Sequence, residues 1–67
     1  MPKYRLIVNG LVVALNTQPN HIIYRQGGNI ARIRGKDVIC DVYEPDLRKW
    51  VSKYAFSPDG TVKTIFS

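Results

Sequence analysis

One cysteine, one histidine, one methionine and one tryptophan are all that this chain of 67 residues has of those types, and its ten Lys and Arg face only five Asp and Glu. A lone Cys40 cannot form an internal disulfide, so nothing here points to an oxidising compartment, and a cytoplasmic location is the expectation. His21 and Cys40 are the only soft metal ligands, and a zinc site needs about four, so no metal and no cofactor is expected. A Cys–His nucleophilic pair is disfavoured because the strand pattern puts Cys40 in the core and His21 facing outward. Every acid except Asp41 and Glu44 has a local explanation: Asp37 faces Arg34 across a turn, Asp46 opens a helical turn, and Asp59 belongs to a reverse turn. Without a nucleophile, a base and an orienting group in one place, no enzyme is expected. No apolar run is long enough for a membrane span. The longest, Leu6 to Leu15, is broken by Asn9-Gly10, which argues against a secretory signal and excludes a membrane partner from the expectations.

What remains is a small, basic, moderately apolar chain. Apolar residues make up 45% and charged residues 22% of it, too apolar for disorder, and the net charge of +5 suits a polyanionic partner. A chain of this length makes one domain, 1–67, and buries only about 60% of the surface of its unfolded state. Its core must be small and fully used.

Turn chemistry then divides the chain. Asn9-Gly10 is the dipeptide best suited to a type I′ turn, so Lys3 to Val8 and Leu11 to Leu15 read as a hairpin with Val8 facing Leu11, Leu6 facing Val13 and Tyr4 facing Leu15. Asn16 to Asn20 is a polar connection. From Ile22 to Tyr43, Gly27-Gly28 and Gly35-Lys36 are the candidate turns of three successive strands. Both registers send Ile22, Tyr24, Ala31, Ile33, Val38, Cys40 and Val42 to a core face, with Ile23, Arg25, Ile30, Arg32, Arg34, Ile39, Asp41 and Tyr43 on the outer face.

The last third has a double pattern. Leu47, Trp50, Val51, Tyr54 and Ala55 fall at helical spacing, which gives the alternative of an α+β chain with a helix at about 45–55. The favoured reading is a short helical turn near 45–49 and then a hairpin closed by Ser57-Pro58-Asp59-Gly60, with Trp50, Ser52, Tyr54 and Phe56 on one strand face. In that pairing Phe56 meets Val62, Ser52 meets Phe66, and Lys53 and Lys63 share the outer side. The fold class expected is therefore mostly β: a small antiparallel barrel-like or highly curved sheet of six to seven short strands.

Two functions compete for the outer face. Arg25, Arg32, Arg34 and Tyr43, with charge added by Lys53 and Lys63, suit nucleic acid, DNA or RNA, because guanidinium forks match phosphates and an aromatic ring offers a base a platform. Ile23, Ile30 and Ile39 among them, together with Tyr43, suit a protein partner, as in a small regulator, inhibitor or assembly component of a phage or bacterial complex. The two are compatible in a homo-oligomer that presents its arginines to a polyanion.

Overall fold

The computed structural model describes residues 3–16 and 20–65. Five antiparallel strands form one open sheet: β1 (Tyr4–Val8), β2 (Leu11–Asn16), β3 (Val38–Glu44), β4 (Lys49–Phe56) and β5 (Val62–Thr64), in the order β2-β1-β3-β4-β5. Among the described residues one helix, α1 (Asn20–Arg34), lies between β2 and β3 in the chain and packs against β3 and β4. The mostly β class holds, but the sheet has five strands instead of six or seven and does not close into a barrel.

The largest departure is α1. Its residues were expected as strands turning at Gly27-Gly28, and they form one helix of 15 residues instead. Ile23, Gly27, Ile30 and Ala31 fall at i, i+4, i+7 and i+8, the spacing of one helical face, and Ile23 and Ala31 are buried with Ile30 partly so. The strand alternation that put Ile23 and Ile30 outside was the wrong period. Ile33, assigned to the core, is 79% exposed on the helix's outer side. Gly35 is not the start of a hairpin turn. It takes φ +65° just past the helix, and the amides of Gly35 and Lys36 both donate to the carbonyl of Ala31, at 2.8 and 3.3 Å, which ends the helix as a glycine cap. Arg34 consequently belongs to the helix end and does not face Asp37 across a ladder.

Two consecutive glycines in the middle of a helix cost roughly 1 kcal/mol each relative to alanine. Gly27 has a clear reason. A Cβ there would lie 2.5 Å from the Phe56 ring, so only glycine lets the helix sit directly on it. Phe56 is 1% exposed, and with Leu6, Val8, Ile23, Ala31, Val38, Cys40 and Tyr4 it makes the core. Tyr24 meets the rings of Tyr54 and Phe56 edge-on, with centroids 5.2 and 5.7 Å away.

The first hairpin follows expectation at its tip and departs from it further on. Asn9 and Gly10 take φ 53° and 79°, as a type I′ turn requires, and Val8 faces Leu11. The register then shifts, so that Leu6 faces Ala14 and Arg5 faces Leu15. A bulge of one residue moves Leu15 from the helix side of the sheet to the other. A second shift, between Cys40 and Asp41 in the β3–β4 pair, does the same in β4: Tyr54 and Phe56 stay beneath the helix, while Ser52 and Trp50 face away from it. The expected single face for Trp50, Ser52, Tyr54 and Phe56 is thereby split.

Residues 45–48 form the β3–β4 turn, in which the Leu47 amide donates to Glu44 and the Arg48 amide to Pro45, both at 3.2 Å. No helix runs through 45–55. Pro58-Asp59-Gly60 turns the chain into β5 as expected, with Phe56 opposite Val62. The expected Ser52–Phe66 pair lies outside the described residues.

Candidate nucleic-acid interface and the opposite sheet face

The structure divides the expected site residues into three groups. Arg25, Arg32 and Arg34 are exposed on α1. Ile39 and Tyr43 lie half-buried on the side of the sheet away from the helix, with Ile23 and Ile30 in or against the core between. Lys53 and Lys63 belong to the β4–β5 hairpin: Lys53 sits at the bulge with its ammonium 3.0 Å from Glu44, and Lys63 is exposed opposite Ala55. No single face collects them all.

On the helix, Arg25 and Arg32 are seven residues apart, which places them on the same side and about 10 Å from each other along the axis. Arg34 is about half a turn round from Arg25 and extends from the helix end. The helix has no Asp or Glu, and among the described residues none of its arginines makes a salt bridge. Arg32 donates to Asn29 Oδ1 at 3.0 Å, which orients its guanidinium along the helix. Arg32 and Arg34 also complement the negative end of the helix dipole, a purely structural use for them. Arg25, a turn and a half inside, has no such use.

Beside these arginines lies a cleft of about 300 Å³, lined by Tyr24, Arg25, Gly28, Asn29 and Arg32 from the helix and by Pro58, Asp59 and Gly60 from the β4–β5 turn. Asp59 accepts the Thr61 amide at 2.9 Å, and hydrogen bonds from Thr61 hold its carboxyl below the usual carboxylate range. Tyr24 has its hydroxyl pushed up to about 12, chiefly by its hydrogen bond with Tyr54. The cleft thus combines two guanidinium groups, a fixed carboxylate and an aromatic side chain. Another hollow, of about 420 Å³, lies beside the β3–β4 turn among Glu44, Asp46, Leu47, Lys49 and Val51.

The open side of the sheet has a different character. Asp41 is only 4% exposed, yet it receives Arg5 Nε at 2.9 Å and Ser52 Oγ at 2.7 Å, so its charge is paired and hydrogen-bonded. Arg5 also lies over the Trp50 ring, 4.5 Å from its centroid, and Trp50 meets Tyr43 edge-on at 5.4 Å. Register adds Ile7, Ile39 and Ala55 to this side, with the exposed Val12 and Leu15 at its β2 edge. Arg5 and Trp50 are not among the expected site residues. Arg5 meets Asp41 only because β1 pairs with β3, and Trp50 turns outward only because of a bulge. Neither fact has a local signature.

Cys40 is buried at 0% exposure, and burial, aided by the Asp41 charge, pushes its thiol up to about 11. It behaves as a small apolar residue. Among the described residues no helix is long and apolar enough to cross a membrane. Comparison with family models, curated proteins and solved structures finds no match to this chain.

Proposed function

We propose that this chain is a non-catalytic module that contacts the phosphate backbone of nucleic acid through α1, with Arg25, Arg32 and Arg34 as its principal groups. The observation that carries the reading is the distribution of charge. The partly buried acids on the sheet are paired, Asp41 with Arg5 and Glu44 with Lys53, whereas the arginines of an acid-free helix make no salt bridge among the described residues. Exposed guanidinium groups that make no salt bridge are suited to phosphate, which they bind in a bidentate fork. Tyr43 and Lys53 do not belong to this surface, the first lying across the sheet and the second being held by Glu44.

Three phosphate contacts give a slope of log affinity against log salt of about −2 for a single strand and about −2.7 for a duplex. Fluorescence anisotropy with labelled single- and double-stranded oligonucleotides at two salt concentrations tests this. Binding at low salt that is lost on replacing the three arginines by glutamine is the expected result. Binding indifferent to that replacement, or none at low salt, contradicts it.

A second reading rests on a separate observation, the uncovered apolar side of the sheet. Ile7, Ile39, Tyr43 and Trp50, with Val12 53% and Leu15 68% exposed, form a surface whose one ion pair is internally compensated. Such a surface fits a protein partner or a second copy of the chain better than a polyanion. The two readings use opposite sides of the molecule and are compatible.

A further inference from the structure

Gly27 and Gly28 stand side by side in α1, and only the first is explained by packing. A Cβ at Gly28 meets nothing within 4 Å. This glycine weakens the helix with no return from the core, and it forms part of the wall of the cleft between Arg25, Arg32 and the β4–β5 turn. A helix residue without a side chain at such a place leaves backbone open to the close approach of a ligand.

The lining of the cleft specifies that ligand further. Arg25 and Arg32 suit a phosphate, but Asp59, across the cleft, opposes an anion and so calls for hydrogen-bond donors. Asp59 is a carboxylate at neutral pH, held further below the usual range by hydrogen bonds from Thr61, and it has no proton of its own to offer. A nucleotide satisfies both requirements, with phosphate oxygens for the guanidinium groups and base N–H groups for the carboxylate. Tyr24, 39% exposed at the same cleft, supplies an aromatic surface for the base. The donors of a base's Watson–Crick edge are free only when it is unpaired, and a cleft of about 300 Å³ is of a size for one nucleotide, not for a duplex. Guanine, whose adjacent imino and amino groups match the two oxygens of a carboxylate, is the base that fits best.

We propose that the cleft between α1 and the β4–β5 turn receives one unpaired nucleotide of a single-stranded nucleic acid, with its phosphate at Arg25 and Arg32 and its base, preferentially guanine, at Tyr24 and Asp59. This rests on the nucleic-acid reading above and makes it specific.

The test uses the full chain with two labelled single strands of about 12 nucleotides, one all thymidine and one with a single central guanosine, and a duplex of equal length. The variants are Gly28→Ala and Asp59→Asn, each checked by circular dichroism. Asparagine keeps the side-chain oxygen that caps the turn. Wild type is expected to bind the guanosine strand about fivefold or more tighter than the thymidine strand, and Asp59→Asn to abolish that preference. Gly28→Ala is expected to raise the melting temperature while weakening binding to both single strands. If Asp59→Asn instead strengthens binding to every strand and no guanosine preference exists, the cleft takes phosphate alone and the proposal is overturned while the nucleic-acid reading stands. Tighter binding to the duplex than to either single strand also overturns it. Absence of binding to all three at low salt removes the nucleic-acid reading and this one with it.

Discussion

On the helix side of the sheet, Arg25, Arg32 and Arg34 extend from a segment without acids and make no salt bridge among the described residues, whereas on the open side Arg5 is fixed between Asp41 and the Trp50 ring. Both sides present arginine, yet only one has it available. Arg5 holds a carboxylate that is 4% exposed, so its removal would strand a buried charge; removal of Arg25 would strand nothing. Composition counts the two alike, and environment separates a structural arginine from one free for a ligand.

The contrast is sharpest in the stability of variants. Asp41→Ala leaves the Arg5 guanidinium and the Ser52 hydroxyl without their partner, and the expected loss, read by urea denaturation, is about 2 to 4 kcal/mol. Arg25→Gln and Arg32→Gln are expected to change stability by less than about 0.5 kcal/mol while weakening oligonucleotide binding. If the helix arginines prove as important to folding as Asp41, the division between the two sides fails.

A smaller effect compares the two glycines within the helix. Gly27→Ala drives a methyl group into the Phe56 ring and is expected to destabilise by about 1 to 3 kcal/mol. Gly28→Ala, one residue on and in open space, is expected to stabilise by about 0.5 to 1 kcal/mol. Thermal melts of the two variants check both signs.

A separate effect concerns pH. Cys40 has its thiol raised from an ordinary value of 9.0 to about 11, so the folded state keeps the proton that the unfolded state releases first. The stability this contributes is complete below pH 9 and declines as pH rises from 9 towards 11, by about 1 to 2 kcal/mol. Tyr24, raised from 10.0 to about 12, adds to the decline from about pH 10 upwards. Cys40→Ala is expected to remove the part of the slope between pH 9 and 10, measured as the urea midpoint against pH.

Where local chemistry decided the structure, it was legible in the sequence. Asn9-Gly10 and Pro58-Asp59-Gly60 carry their turn geometry in their side chains, and the burial of Leu6, Val8, Val38, Cys40 and Phe56 follows from alternation. α1 was misread because Gly27-Gly28, between residues that also alternate, imitates a hairpin turn; the close approach of Phe56, which accounts for Gly27, involves a residue 29 positions later. The C-terminal cap carried the missing signal: Gly35 ends the helix, and Arg32 and Arg34 lie in its last turn. The bulges in β2 and β4 were hidden for a related reason. Each reverses the side on which later residues fall, and what favours a bulge is the fit of neighbouring strands.

For the candidate site, the exposure of Arg25, Arg32 and Arg34 was legible and the grouping of the residues was not. Arg25, Arg32 and Arg34 are retained in the proposal, but the neighbours of Arg25 and Arg32 changed from isoleucines on a sheet to Gly28, Asn29, Tyr24 and the β4–β5 turn. Tyr43 and Ile39 moved to the opposite side because the helix replaced the strands that were to carry the arginines beside them. A single substituted element redistributed the whole surface.

Nuclear magnetic resonance of the isotope-labelled chain, titrated with a single-stranded oligonucleotide at low salt, tests most directly which side binds. The expected result is a set of amide shifts concentrated at Arg25, Gly28, Asn29, Arg32 and Gly60, with Arg5, Ile39 and Trp50 unmoved. Shifts confined to Arg5, Ile39, Tyr43 and Trp50, with the helix silent, would contradict it.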